Sequence, residues 1–425
     1  MKLTIDKLGM NGEGVARGEK VTFVPYALPN ETVEAEIVEE KSKFCNAKLS
    51  KVIVESNDRK TPPCPYFMEC GGCNLQHLKY EKQAEFKQNL VKETLHKVGG
   101  IDEQVLPCVT ANSFSYRNKG VFPISKNIGM FRFNSHQIIP IQKCLLMNEK
   151  INEALDLVRN WLEKYNISTF DFNTFKGLVK YLVVRSVNNQ TLVCLVSTSK
   201  NIPHLAELQQ QLSNLGDYGL YLNINTQKNS IILGNDYIHI CGLKSIELEE
   251  FGVKYNIDVA SFLQVNNEIK NKLYSEVIDY MKDDVVIDAY AGAGLLSAIL
   301  SKSANQVYSV EIVPQASQKA KELVKQNDIT NMQVINGDCG QILPKITNKL
   351  TNFSVVLDPA HIGCDKKVLE AVKNANKIVY IACNPIALSK DLKTLLITHK
   401  IVKIQPFDMF PQTKHIETLA VLQHK

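Results

Sequence analysis

From about residue 256 onward, short apolar segments alternate regularly with helix-like segments, and this alternation constrains the fold more than any other feature. The predicted strands and the helices between them cover 285–288, 294–301, 306–311, 314–327, 332–335, 353–358 and 377–382. Strands that alternate with helices form βαβ units and a parallel sheet covered on both faces. Ligands bind such sheets beyond the carboxyl ends of the strands. The sequence therefore predicts an α/β fold with a site at that edge.

The rest of the chain is organised differently. In residues 1–57, the segments 21–25 and 32–38 alternate with the period of half-buried strands between Gly, Asn and Pro turns, a pattern typical of a small β-barrel of the oligonucleotide-binding type. A proline-rich break at 62–65 then precedes a helix predicted over about 80–98. We divide the chain into 1–57, a central α/β domain over 58–255, and 256–425, and the helix is a candidate to pack on the last of these.

Composition excludes several classes of protein. The chain has 425 residues, 44% hydrophobic and 22% charged, so wholesale disorder is excluded. No run of 18 apolar residues occurs and the N-terminus lacks a secretory signal, so we expect a cytoplasmic protein without a membrane span. The chain has 11 cysteines, an odd number, and the cytoplasm keeps thiols reduced. A disulfide framework is therefore disfavoured, and metal binding or redox chemistry is favoured. Residues 61–150 hold 11 basic against 7 acidic side chains, which permits a nucleic-acid partner.

A glycine-containing loop lies at the predicted ligand edge. It runs from Asp288 to Gly294 between a strand and a helix, and the next strand ends in Glu311. Glycines let the backbone approach a ligand, and an acid at that position can bind the ribose hydroxyls of an adenosine group. A dinucleotide and S-adenosylmethionine both fit this pattern. Because Ser297 stands where a third glycine would complete the dinucleotide fingerprint, we favour S-adenosylmethionine.

Two further side chains are candidates for catalysis. Cys383 follows an apolar strand directly, and a thiol is a strong nucleophile where its surroundings lower its pKa. Glu417 precedes a final strand predicted over 419–422, and a terminal strand at the sheet edge would return Glu417 to Cys383 as a general base. His415 is an alternative base.

Three cysteines, Cys64, Cys70 and Cys73, fall within ten residues around a Gly-Gly pair. A closed zinc or cubane iron–sulfur site needs a fourth ligand, for which Cys144 is a candidate. A three-plus-one arrangement favours a [4Fe–4S] cluster, since zinc sites usually show two spaced pairs.

Together these segments resemble the RNA (uracil-5-)-methyltransferases, and in particular the iron–sulfur branch that modifies 23S ribosomal RNA. The resemblance covers essentially the whole chain: residues 8–16 look like the opening of a TRAM domain, 64–77 like the cluster motif, 261–266 like the Phe-Gln-Val-Asn box, 383–385 like the nucleophile motif and 408–417 like the C-terminal signature. It implies a Rossmann-like, class I methyltransferase domain behind an OB-like TRAM barrel and an iron–sulfur-containing central domain.

The resemblance also assigns residues. It implies that Cys383 is the nucleophile and Glu417 the base in methylation of uridine carbon-5 through a covalent Cys–uracil adduct. The implied S-adenosylmethionine-binding residues are Gln264, Tyr290, Gly292, Glu311, Asp338 and Asp358. The implied [4Fe–4S] ligands are Cys64, Cys70, Cys73 and Cys144. We expect 23S ribosomal RNA as the partner of a monomer.

The chain departs from the family pattern at two positions. Leu295 stands where a small or polar residue is usual, and His361 replaces the usual Arg of an Asp-Pro-Pro-Arg-like box. Three alternatives follow: a transfer RNA methyltransferase, a non-catalytic RNA-binding or ribosome-assembly factor that keeps the fold, and, on the cluster cysteines alone, an iron–sulfur oxidoreductase. The sequence does not identify the target uridine or the number of sites.

Overall fold

The computed structural model describes residues 1–425, which divide into two compact units that are each built from several chain segments. The first unit consists of Met1–Phe86, Asn112–Gly242 and Phe410–His415, and the second of Lys87–Ala111, Leu243–Met409 and Ile416–Lys425. No helix combines the length and apolar composition needed to cross a membrane.

The N-terminal part of the first unit is a six-stranded sheet with strand order β1-β5-β6-β4-β3-β2. Its strands are β1 (Lys2–Thr4), β2 (Lys7–Leu8), β3 (Gly14–Ala16), β4 (Val21–Val24), β5 (Thr32–Glu40) and β6 (Phe44–Val54). Small apolar side chains, among them Val24, Val33 and Ala35, form its core. The alternating segments of the sequence therefore become β4 and β5, as predicted.

A five-stranded sheet, ordered β13-β12-β11-β10-β7, forms the other part of this unit. Its strands are β7 (Lys119–Pro123), β10 (Val179–Val187), β11 (Gln190–Ser197), β12 (Tyr218–Ile224) and β13 (Asp236–Gly242), and β8 (Gly129–Phe131) pairs separately with β9 (Ile138–Pro140). The helices are α2 (Glu149–Lys164), α3 (Leu205–Leu212) and a 3₁₀ turn (Ser213–Leu215), with α1 (Tyr80–Thr94) before them. The fully buried Trp161 lies at the centre of the core that α2 shares with β10 and β11.

The second unit contains a seven-stranded sheet ordered β18-β17-β16-β19-β20-β22-β21. After the hairpin of β14 (Ile246–Glu250) and β15 (Val253–Ile257), the sheet strands are β16 (Val285–Ala289), β17 (Gln306–Glu311), β18 (Met332–Asn336), β19 (Ser354–Leu357), β20 (Lys377–Ala382), β21 (His399–Phe407) and β22 (Glu417–His424). Between them lie α4 (Asn267–Tyr280), α5 (Leu295–Leu300), α6 (Pro314–Gln326), α7 (Cys339–Thr347), α8 (Lys366–Ala371) and α9 (Pro385–Leu395). The hairpin belongs to this unit, so the unit resumes at Leu243 rather than at residue 256.

Strands β16 to β20 are parallel, and all of them except the edge strand β18 are buried over most of their length on both faces, which explains why they read as apolar runs. Strand β22 runs antiparallel between β20 and β21, and Thr418 pairs with Ala382. The prediction that the final strand lies at the sheet edge is wrong, because β21 covers it. The antiparallel direction nevertheless starts β22 at the edge where β20 ends.

The predicted helix over 80–98 is α1 followed by a π-helical turn, Leu95–Gly99, that ends at Gly100 in the left-handed conformation (φ 66°). Val91 and Leu95 are fully buried in the core of the second unit together with strands β19 and β20. The C-terminal half of this helix is therefore part of the unit that carries the parallel sheet.

Candidate active site

A cavity of about 330 Å³ lies at the carboxyl edge of the second unit's sheet. This volume falls within the range of roughly 300–1,000 Å³ that is usual for small-molecule sites. Four of the six predicted cofactor-binding residues line it: Gln264, Tyr290, Gly292 and Asp358. The sequence therefore identified most of the wall of a real cavity, and their cofactor contacts stay predictions.

The loop after β16 needs its glycines. Gly294 has φ +78°, and a Cβ there would lie 2.8 Å from the Cβ of Ala320, closer than such atoms approach in proteins. Gly292 has φ +56° and donates its backbone N–H to the Glu311 carboxylate at 2.9 Å. Both positions have a left-handed backbone, and position 294 also has no room for a Cβ atom, so glycine is the residue that fits without strain.

The two remaining predicted cofactor residues do not line the cavity. Glu311 ends β17, is buried, and accepts backbone N–H groups from Gly292 (2.9 Å) and Val313 (2.7 Å). Each of its oxygens keeps a second lone pair for a ligand hydroxyl. Asp338 is exposed immediately before α7. Their roles therefore stay predictions.

The Phe-Gln-Val-Asn box forms the start of α4. The buried Asn266 caps this helix by accepting the Ile269 N–H at 3.2 Å, and its amide donates to the Met409 carbonyl at 3.4 Å. Phe262, also on the cavity wall, is 78% exposed. The Asn thus supplies structure, while Phe262 and Gln264 face the cavity.

Sequence reasoning missed a second polar wall. Asp258 accepts N–H bonds from Ala260 (2.9 Å) and Ser261 (2.8 Å), and it forms an ion pair with Lys319 of α6. Burial favours the protonated acid, but the hydrogen bond and charge of Lys319 outweigh it and keep the pKa of Asp258 below its usual range. The Asp-x-x-Ser spacing of residues 258–261 is typical of a turn closed by an Asp side chain, and it could have indicated this turn from the sequence.

Ser297, in the place of the third glycine, links two strands. Its hydroxyl hydrogen-bonds with the carboxyl of Asp288 on β16 and, at 2.9 Å, with Ser309 on β17. Desolvation raises the pKa of Asp288 to about 7, although the bond from Ser297 opposes the shift. The position therefore holds a buried polar link, which a glycine could not provide.

Cys383 lies between the end of β20 and the start of α9, and its side chain is partly open to solvent. The next residue, Asn384, caps α9 by accepting the Ile386 N–H at 3.0 Å and donates to the His361 carbonyl at 2.9 Å. The Cys-Asn-Pro motif therefore presents a thiol just before a helix N-terminus. It also joins the loops that follow β19 and β20.

Glu417 is the first residue of β22 and is 5% exposed. Because Thr418 pairs with Ala382, the start of β22 lies beside the end of β20. The pKa of Glu417 is raised to about 8, mainly by burial and to a smaller extent by the negative charge of the nearby Asp358. The structure thus brings Cys383, Glu417 and Asp358 together, although only Asp358 also lines the cavity.

The electrostatics of this group differ from the expectation of a lowered thiol pKa. Desolvation raises the pKa of Cys383 to about 11, with further contributions from Glu417 and Asp358. Burial also raises the pKa of Asp358 to about 7, and Asp288 adds to that shift. All three groups thus have raised pKa values, because they are desolvated and their ionised forms repel one another. A cation in the cavity would favour their ionised forms.

The predicted cluster ligands lie in the first unit. The thiols of Cys64, Cys70, Cys73 and Cys144 are close enough to interact electrostatically with one another. Burial is the main reason that the pKa of Cys73 rises to about 12. No group of three or more His, Cys, Asp or Glu side chains is arranged to hold a metal ion.

The C-terminal signature serves both units. In the first unit Gln412 is fully buried, and its carbonyl accepts the N–H groups of Asn74 (3.1 Å) and Leu75 (3.0 Å), next to the cysteine segment. His415, the alternative base, also belongs to the first unit, whereas Cys383 belongs to the second. Glu417 is therefore the better partner for Cys383.

The two departures from the family pattern have different surroundings. Leu295 is buried at the start of α5 and lines the cavity. His361 is exposed, and its backbone carbonyl, not its ring, makes the bond to Asn384.

Comparison with known proteins identifies close relatives over the full chain. An uncharacterized RNA methyltransferase of Clostridium acetobutylicum is 37% identical, covering 99% of this chain and 96% of the relative. An uncharacterized RNA methyltransferase of Listeria innocua is 36% identical, covering 100% of this chain and 98% of the relative. The crystal structure of Pyrococcus abyssi tRNA (uracil-54, C5)-methyltransferase in complex with S-adenosyl-L-homocysteine superposes with a TM-score of 0.84 at 26% identity, covering 99% of this chain and 100% of that one.

Two family patterns match the sequence. Residues 1–49 match the TRAM domain, and residues 79–425 match the tRNA (uracil-5-)-methyltransferases. The predicted fold class and family are thereby confirmed. The chain belongs to the tRNA (uracil-5-)-methyltransferase family.

Proposed function

We propose that the protein methylates carbon-5 of a uridine in 23S ribosomal RNA through a covalent adduct with Cys383. The observation that carries the proposal is the register of β22 on β20, which sets a buried carboxyl, Glu417, beside a solvent-accessible thiol, and both interact with Asp358 of the cavity wall. Carbon-5 of uracil is a poor nucleophile, and this pair supplies what its activation needs.

The reaction balances with these groups. The Cys383 thiol first gives up its proton to solvent, and the thiolate sulfur then forms a bond to carbon-6 while the electrons of the carbon-5–carbon-6 double bond move to carbon-5. Carbon-5 takes the methyl group, and the bond from the methyl to the donor sulfur breaks with its electrons left on that sulfur. Glu417 then accepts the carbon-5 proton, the double bond re-forms, and the Cys383 thiolate leaves.

The residues around the cavity suit S-adenosylmethionine. When bound, it supplies a methyl group activated by a positive sulfonium. Asp358 and the other desolvated acids provide negative charge at this edge of the sheet, and the Glu311 carboxylate is fixed where ribose hydroxyls bind in related folds. The side chains of Tyr290 and Phe262 supply the apolar wall.

The test is a covalent trap. With a 5-fluorouridine-containing RNA and S-adenosylmethionine, the wild-type protein should form an adduct that survives denaturation, because fluorine cannot leave as a proton. Cys383→Ala should form none, and Cys241→Ala, which removes a half-buried thiol of the first unit, should match the wild type. Equal trapping by wild type and Cys383→Ala would show that the nucleophile is misassigned.

Transfer RNA is the second candidate substrate, because the superposed archaeal enzyme is a tRNA methyltransferase. Mapping 5-methyluridine in ribosomal and transfer RNA from cells lacking the gene separates the two. Loss of a modification in 23S RNA alone supports the proposal, and loss in transfer RNA alone contradicts it. Absence of any change together with no calorimetric binding of S-adenosylmethionine favours a non-catalytic assembly factor.

We also propose that Cys64, Cys70, Cys73 and Cys144 hold a [4Fe–4S] cluster. Thiolates on one zinc ion lie roughly 3.8 Å apart, given metal–sulfur bonds of about 2.3 Å. In a cubane each thiolate binds a different iron, so its ligands are spread more widely. The proposal is supported by the four thiols, which are close enough to interact electrostatically with one another. Protein purified without oxygen should absorb in the visible blue, and Cys70→Ser should lose that absorbance.

Finally, we propose that the protein acts as a monomer in the cytoplasm. Its eleven cysteines are all free, as expected in a reducing compartment. Light scattering of the purified protein should give a mass near 47.7 kDa. A mass twice as large would contradict the monomer.

A further inference from the structure

A second cavity, of about 620 Å³, lies entirely within the first unit, and none of its lining residues takes part in the proposed transfer chemistry. Its wall is the tip of the β8–β9 hairpin, packed against the Gly71-Gly72 pair of the cysteine segment. The Gly71 N–H donates to the Phe131 carbonyl at 3.0 Å, and the Phe133 N–H donates to the Glu69 carbonyl at 3.1 Å. The hairpin tip is thus held in place by backbone bonds.

Aromatic rings dominate this cavity. Phe131 and His136 meet edge to face with centroids 5.7 Å apart, and Tyr181 also lines the cavity. Phe133 stands at the hairpin tip with 51% of its surface exposed. Its ring offers a flat apolar face on which another flat ring can stack.

The charge around the cavity has one sign. Residues 104–148, which supply most of the wall, contain five Lys or Arg and no Asp or Glu. The cavity lining contains one charged group, Arg132, and no acid. Arg132 binds Glu69 at 3.0 Å, but both side chains are exposed, so the pair is weak and can open for a phosphate. Aromatic faces combined with positive charge are typical of surfaces that bind single-stranded nucleic acid.

We propose that this cavity binds an unpaired nucleobase of the RNA substrate, which stacks on Phe133 while its phosphate pairs with Arg132. The proposal rests on the RNA substrate of the proposed function. The base is not the methylated one, because the target uridine must reach Cys383 in the other unit. The site therefore reads the RNA that flanks the target.

The experiment uses the full-length protein with a fluorescein-labelled single-stranded RNA that contains the target uridine. Phe133→Ala should weaken binding on the order of 10- to 100-fold, the usual loss for one base–aromatic stack. Phe175→Ala is the matched control, since Phe175 is 43% exposed in the same unit but lies outside the cavity. Phe133→Tyr should restore binding.

A spectroscopic readout separates stacking from misfolding. The chain's one Trp, Trp161, is fully buried, so Phe133→Trp adds an exposed emitter whose fluorescence RNA should quench. Unchanged RNA affinity in Phe133→Ala, or no quenching in Phe133→Trp, overturns the proposal when the wild type methylates RNA normally. If the wild type binds the RNA but transfers no methyl group, the proposed function fails while the stacking test still decides this site. Binding of a protein segment instead of RNA would also overturn it.

Discussion

Three carboxyl groups at the ligand edge of the sheet, Asp288, Asp358 and Glu417, have pKa values raised to about 7, 7 and 8, because burial disfavours their charged forms. A general base must give up its proton before it can act. The residue that is placed to accept the carbon-5 proton is therefore the one most strongly inhibited by its surroundings in the ligand-free protein. A cationic ligand in the cavity reverses this by stabilising the carboxylate.

This predicts the pH dependence of methyl transfer. Because kcat/KM reports ionisations of the free enzyme, it should rise with pH between pH 6 and 9, since Glu417 ionises at about pH 8 and the Cys383 thiol, with a pKa of about 11, gives a growing fraction of thiolate. The increase of kcat with pH should occur at a lower pH than the increase of kcat/KM. The reason is that kcat reports the complex, in which the positive sulfonium favours the ionised carboxylate. Rates of tritiated methyl transfer between pH 6 and 9 measure both. A kcat/KM that is flat across that range contradicts Glu417 as the base.

Glu417 also predicts a stability effect. Its folded-state pKa of about 8 lies above the ordinary 4.5, so the folded protein keeps a proton that the unfolded chain has lost between those values. Unfolding free energy therefore falls as pH rises through this window, by about 1.4 kcal/mol per unit of pKa difference at most. The variant Glu417→Gln has no such ionisation. The free energy of unfolding of the variant minus that of the wild type, measured by urea denaturation, should therefore be more positive at pH 8 than at pH 5. An equal difference at both pH values contradicts the raised pKa.

The sequence predicted the identity of these residues better than their chemistry. Cys383 and Glu417 could be paired because both flank predicted strands. The raised pKa of the thiol could not be predicted, since it comes from desolvation and from Asp358, which is distant in the sequence. Asp258 was missed because a turn-forming Asp is common and nothing local points to Lys319.

Among the elements, α1 is tied to the end of β21 by a buried ion pair between Lys87 and Asp408, both fully inaccessible to solvent. Burial lowers the pKa of Lys87, and the negative charge of Asp408 offsets part of that effect. The first residue of the C-terminal signature thus anchors a helix. A pair of this kind is costly to break, because the remaining charge is left in the core.

We therefore predict that Lys87→Met destabilises the protein by about 3–5 kcal/mol, while Lys87→Met/Asp408→Leu recovers most of that loss. Lys97→Met is the control, since its pair with Glu93 is exposed on both sides and should contribute less than about 1 kcal/mol. Chemical denaturation measures all three variants. Equal destabilisation by Lys87→Met and Lys97→Met would contradict a role for burial.

The strands of the parallel sheet were predictable, but β21 was not. Its positions 400 and 403 are lysines, so it lacks the apolar run of a strand buried on both faces. Because this strand was missed, the final strand was expected at the edge of the sheet. In the structure β21 is the edge, and its lysines suit an edge strand.

At the scale of the whole molecule, the cavity and the proposed catalytic pair both belong to the second unit, whereas the TRAM match and the four proposed cluster cysteines belong to the first. Composition and motif order predicted this separation of tasks along the chain. They could not predict that both units are built from interleaved segments, because contacts between distant segments leave no local pattern.

This arrangement predicts where a ligand stabilises the protein. S-adenosylhomocysteine at 100 times its Kd should contribute about 2.7 kcal/mol to the state that binds it. In hydrogen–deuterium exchange the protection should appear in residues 258–264 and 288–296, which form the cavity wall, and not in β5 or β6. Comparable protection of β5 would mean that the cavity is not the ligand site.

The short segment Phe410–His415 completes the first unit, and the β22 strand that follows completes the second. Many multidomain proteins fold from the N-terminus onward while they are being synthesised. Here a nascent chain halted before residue 410 has neither unit complete, even though all but the last 16 of its 425 residues have been made. Such a product lacks β22 and with it Glu417, so it cannot contain the proposed catalytic pair.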